Sequence, residues 1–215
     1  FLKIFLSFFL IVFSFYINYF YANKGLYPID SFSFFDTGFY VTIGQHPIKD
    51  FWIISGIFVD YIQALFFLLF GENWNSYIYH ASFFNSSLAL FFFFFLNQFN
   101  QRFFINFILA LSASILCYPI IGTPFPYQHS LILSLISIFL FYLGVEKKNK
   151  VYWILLPFFM TISFLSMQLP SGFINILILT FSIIYFLFME KYFLKYFIFG
   201  TLLSLGMLLL YLLIV

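Results

Sequence analysis

The chain has 215 residues, of which 64% are hydrophobic and only 7% charged, and its mean hydropathy is +1.07. Soluble domains carry about 25% charged residues, so a water-soluble domain is excluded. A scattered net charge of +2 leaves no footprint for a nucleic-acid partner, and the single cysteine, Cys117, rules out a disulfide within the chain.

Lys3 precedes the first apolar stretch, residues 4–22. Phe20 occupies the place where signal-peptide cleavage after Ala22 would need a small residue, so an uncleaved first transmembrane helix is expected. Further apolar stretches cover residues 53–71, 76–97, 103–120, 130–145, 151–167, 173–189 and 195–215. The start at Phe1 and the end at Val215 inside an apolar run fit the N-terminal part of a longer protein.

If all eight stretches cross and Lys3 is cytoplasmic, the basic run Lys147-Lys148-Asn149-Lys150 falls outside, against the positive-inside rule. If residues 53–71 instead stay at the interface, Lys3, Arg102, Lys147, Lys148, Lys150, Lys191 and Lys195 lie inside, and only Lys24 and Lys49 outside. The second topology satisfies the rule. It predicts an all-α membrane protein in one transmembrane module. About seven helices cross, and residues 23–76 form an extracytoplasmic loop with membrane-surface helices near 36–44 and 55–71.

The segment 53–71 has Gly56, Asp60 and Gln63 on one helical face, with apolar residues over the rest. Asp60 at a bilayer centre would cost about 2.5–3.5 kcal/mol, which a water-facing or protein-facing position avoids. Five of the seven acidic residues (Asp30, Asp36, Asp50, Asp60 and Glu72) fall in this one loop.

Asp36 follows Ser31-Phe32-Ser33-Phe34-Phe35, soon after the first helix. A carboxylate beside apolar surface suits a general base; the alternative is an N-cap for a short helix from Thr37 to about Gly44. Asp50 sits in the turn Gly44-Gln45-His46-Pro47-Ile48-Lys49-Asp50-Phe51-Trp52, where it either binds a metal or sugar hydroxyl, pairs with Lys49, or caps the next helix. His46 reads as an exposed turn residue, and Trp52 as an interfacial anchor. His80 lies near the outer end of its helix, where interfacial water can satisfy it. His129, after the Pro-broken run Gly122–Gln128, suits a phosphate or metal, or caps a helix beginning at Ser130. Gln168 ends a helix before Pro170, and the sequon Asn85-Ser86-Ser87 lies within a span and is discounted.

This order of features resembles the N-terminal module of the GT-C glycosyltransferases, membrane enzymes that use lipid-phosphate-linked sugars. Asp36-Thr37-Gly38-Phe39-Tyr40 is similar to the superfamily's acidic motif, Gly44 through Phe51 to its glycine, proline and basic-Asp-aromatic turn, and Phe70-Gly71 to the pair closing its second surface helix. The resemblance implies a polyprenyl-phosphate-linked sugar as donor and a lipid or glycan acceptor, within a bacterial inner membrane with a cytoplasmic N-terminus. It implies Asp36 as catalytic base, with Asp50, Asp60, His80, His129 and Gln168 as substrate-binding candidates. His80 stands where relatives commonly carry arginine, Gln128-His129 where they carry Asp, and Met167 where they carry lysine. Asp50, Asp60 and His129 around a divalent cation are the substitute these departures suggest. Two rival readings are a transporter or lipid flippase with Asp60 and His129 along its pathway, and a structural subunit whose loop binds a partner.

Overall fold

A computed structural model describes residues 2–25, 28–53, 56–99, 102–117 and 119–214. Regular structure among them is helical, apart from an isolated bridge between Pro47 and Phe51. The helices are α1 (Leu2–Ala22), α2 (Pro28–Thr42), α3 (Ile57–Phe70), α4 (Trp74–Leu96), α5 (Phe103–Leu116), α6 (Pro126–Lys147), α7 (Lys150–Ser166), α8 (Gln168–Phe188) and α9 (Leu194–Ile214). Single 3₁₀ turns occupy Ile120–Gly122 and Lys191–Phe193.

Among the described residues, five segments are long and apolar enough to cross a bilayer: α1, α4, α6, α8, and Lys191–Leu213, which takes in α9 as far as Leu213. The chain is an all-α protein whose apolar helices are compatible with an integral membrane protein. At 1.5 Å per residue, the 14-residue α3 spans roughly 21 Å, short of the roughly 30 Å of a hydrocarbon core. Two other apolar helices, α5 and α7, are also below 18 residues.

The described residues divide into two compact units, one comprising residues 1–55 and 59–125, the other 56–58 and 126–215. In the first, α1 and α4 run antiparallel, joined over part of their length by polar side chains. Asn18 Nδ2 donates to Ser82 Oγ (2.9 Å) and Gly122 O (3.0 Å), and Ser86 Oγ to Ile11 O (3.1 Å). Asn85 Nδ2 donates to Ser14 O (3.1 Å) and Ser114 O (3.0 Å), bridging α1, α4 and α5. Where surrounding lipid supplies no net hydrophobic drive, such bonds and close packing hold helices together. Leu6, Leu10, Phe93, Phe107 and Ala110 make the apolar core at the other end of this trio. The return of the chain along α5 brings the 119–125 connection to the end of the unit where α1 finishes and α4 begins.

In the second unit, α6 and α7 form a tight hairpin, with Trp153 Nε1 donating to Gly144 O (3.2 Å) at one end and Ser130 Oγ to Met167 O (3.0 Å) at the other. Asn175 of α8 donates to Met160 O of α7 (2.8 Å). α9 approaches α7 so closely that a Cβ on Gly200 would lie 2.3 Å from Ile154 O, so only glycine fits there. Lys148 Nζ donates to Glu190 Oε1, tying the α6–α7 turn to the α8–α9 connection. The neighbouring carboxylate pushes the Lys148 pKa up from its ordinary value. Lys147, Lys148, Lys150, Lys191 and Lys195 thus collect at one end of this unit.

Candidate functional site

α2 starts earlier than residue 36. Proline is pre-organised for the first position of a helix, and Pro28 opens α2 there with Asp30 in the favourable first turn. Asp36 therefore sits in the third turn, exposed, which overturns its expected N-cap role. Phe35, one residue before it, packs on Phe67 (4.7 Å between ring centroids), Tyr77 (5.5 Å) and Trp74 (6.3 Å). Phe34 meets Phe125 edge-on (5.2 Å). These rings fix the azimuth of α2 over the first turns of α4.

The next contact is backbone on side chain. A Cβ on Gly38 would fall 2.4 Å from Gln63 Cγ, so α2 and α3 touch at a glycine. Along α3, Val59, Asp60, Gln63, Ala64 and Phe67 are buried, while Leu65, Leu68, Leu69 and Phe70 are exposed. The polar face expected for this segment is turned into the protein: Asp60 is 1% exposed. His80, fully buried, is held by Gln63 Oε1 at 2.8 Å from its Nδ1 and stacked on Phe66 (5.2 Å), with Phe84 edge-on. Protein, instead of interfacial water, satisfies His80, because α3 lies directly over it.

Tyr77 is the residue that composition and motif did not single out. It is fully buried in the first turn of α4, below Phe35. Thr123 lies beside its hydroxyl, and Asp30, Asp36 and Asp60 all act on it electrostatically. Ser31 Oγ is 3.4 Å from Thr123 Oγ1, bringing α2 to the 119–125 connection. Asp30, Asp36, Asp60, Tyr77 and Thr123 therefore form one neighbourhood, drawn from α2, α3, α4 and that connection. The signal available in the sequence was a tyrosine at the start of a span, one of sixteen in the chain.

Asp50 lies outside this neighbourhood and closes its own turn. Its Oδ2 accepts from His46 N (2.8 Å), and its N–H donates to His46 O (2.9 Å), so it caps no following helix. His46 is half-buried instead of exposed, with Nδ1 2.7 Å from the Tyr61 hydroxyl on α3. Ile48, at the tip, has φ +77°. That conformation costs a β-branched residue on the order of 1–3 kcal/mol.

His129 and Gln168 belong to the second unit. α6 begins at Pro126, again a proline at the first helical position, so His129 is a buried residue of the first turn and does not cap a helix starting at Ser130. Gln168 is exposed and opens α8 after Met167, whose extended backbone separates α7 from α8. Asn85, discounted as a sequon, is the buried bridge between three helices.

Among the described residues, no three His, Cys, Asp or Glu side chains converge as a metal-binding group. No family model matches the chain, and no curated protein or solved structure matches it either.

Proposed function

We propose that the chain is a glycosyltransferase module of the GT-C kind, moving a sugar from a polyprenyl-phosphate donor to a lipid or glycan acceptor. The reaction takes place at the outer face of a bacterial inner membrane, with the N-terminus cytoplasmic. The observation that carries this reading is the place of Asp36. It is an exposed carboxylate on a helix pinned by Phe35 and Gly38, and it shares its neighbourhood with buried Asp60 and with Tyr77.

In this reading Asp36 takes the proton of an acceptor hydroxyl while the acceptor oxygen bonds to the anomeric carbon. The bond from that carbon to the donor phosphate oxygen breaks, and lipid phosphate leaves with the electron pair. Asp60 stays a substrate-binding candidate, buried with Tyr77 beneath the helix that carries Asp36. Asp50, His80, His129 and Gln168 remain substrate-binding candidates, although the hydrogen bonds of Asp50 and His80 give each a structural task as well.

The test is release of polyprenyl phosphate from a panel of polyprenyl-phosphate sugars by purified protein in liposomes. Asp36→Asn is expected to lower turnover about 10²- to 10⁴-fold, the usual worth of a general base. Asp30→Asn, in the first turn of the same helix, is expected to stay near the parent rate. Undiminished turnover in a folded Asp36→Asn protein would remove Asp36 as the base.

A further inference from the structure

The turn between α2 and α3 is built to present apolar side chains outward. At positive φ a water-facing turn ordinarily carries glycine, asparagine or aspartate. Here Ile48 holds that conformation with 64% of its surface exposed, and Trp52 is 87% exposed. The turn is braced from behind. Ile48 N donates to Phe51 O (3.1 Å), Asp50 grips the His46 backbone, His46 is bonded to Tyr61 of α3, and the Phe51 ring packs on Tyr40 of α2 at 5.3 Å.

The Asp50 carboxylate is engaged by the His46 N–H, and Lys49, next to Ile48 in the chain, is exposed. An aliphatic tip, a tryptophan and a lysine together are the composition of a bilayer interface. There the indole sits at headgroup level and lysine reaches the phosphates while its stem stays apolar. Leu65, Leu68 and Leu69 of α3, in the same unit, are exposed as well.

We propose that the turn over residues 46–53 is a wedge seated in the phospholipid bilayer. Ile48 and Trp52 lie in the boundary between headgroups and acyl chains, and Lys49 lies on lipid phosphate. The wedge sets the depth of α2 through Tyr40 and of α3 through Tyr61. The inference stands apart from sugar transfer and can hold whether or not Asp36 is a base.

The test places a nitroxide at Ile48→Cys in full-length Cys117→Ser protein, reconstituted in phosphatidylcholine–phosphatidylglycerol vesicles. Power saturation with oxygen and with a water-soluble nickel chelate reads the surroundings of the label. Leu209→Cys, exposed on apolar α9, serves as the lipid reference, and Lys147→Cys, at the end of α6, as the water reference. The label at 48 is expected to respond as at 209, with high oxygen and low nickel accessibility. A response like that at 147 would overturn the wedge, and so would protection from both relaxants, which would mean that protein covers the tip.

Discussion

Gln63 and His80 form a buried hydrogen-bonded pair, and the asymmetry between keeping and breaking such a pair makes it testable. His80→Leu leaves the Gln63 carboxamide buried without its partner, which costs about 1–3 kcal/mol. A lowered thermal midpoint in detergent is expected. Gln63→Leu combined with His80→Leu is expected to restore part of the loss, since two apolar groups leave nothing unsatisfied. Equal or additive losses would show that the pair does not act as a unit. Asn85 offers a parallel case: Asn85→Ala removes two interhelical bonds, each worth about 0.6 kcal/mol on average within membranes.

At this scale the sequence named the polar residues but not their partners. Asp60 and Gln63 were visible as a stripe on an otherwise apolar segment, because a stripe is a periodicity. That His80 meets Gln63, or that Tyr77 lies near three carboxylates, depends on how α3 and α2 lie over α4. No spacing along the chain encodes that arrangement.

Among elements, the contact of α2 on α3 is the most exposed to a single substitution. Gly38→Leu would drive a side chain into Gln63 and Phe67, and overpacking costs about 1–3 kcal/mol. The gain in helix propensity from replacing glycine is at most about 1 kcal/mol and does not offset it. Limited proteolysis of the Gly38→Leu protein is expected to cut faster within residues 43–53, while α6 through α9 remain resistant. Unchanged cleavage would show that α2 is held by its rings alone. Gly200→Leu should act the same way on α7 and α9, where the obstructing atom is a backbone oxygen that cannot rotate away.

Long elements were legible from hydropathy because their apolar runs end in polar or charged groups, as at Lys147–Lys150 and Glu190–Lys191. The starts of α2 and α6 were misplaced for a common reason. Pro126 was read as part of a Pro-broken connection and Pro28 was given no part in a helix, whereas both occupy the first helical position, where the missing N–H is no loss. Asp36 and His129 moved from expected caps to helix interiors as a result.

For the whole molecule, charge supplies the sidedness that helix lengths alone do not. Lys147, Lys148, Lys150, Lys191 and Lys195 share one end of the second unit, and the proposed topology takes that end as the cytoplasmic one. The acidic stretch from Asp30 to Glu72 lies between α1 and α4, whose antiparallel pairing returns the chain to the end it left. α2 and α3 then need not cross. Labelling of single cysteines by a membrane-impermeant maleimide, in intact cells expressing Cys117→Ser protein, decides this directly. Lys24→Cys and Glu72→Cys, which flank α2 and α3, are both expected to label from outside, and Lys147→Cys only after permeabilisation. If Lys24→Cys labels from outside and Glu72→Cys does not, α3 crosses the bilayer, and the outer loop carrying Asp36, Asp60 and Tyr77 does not exist as described.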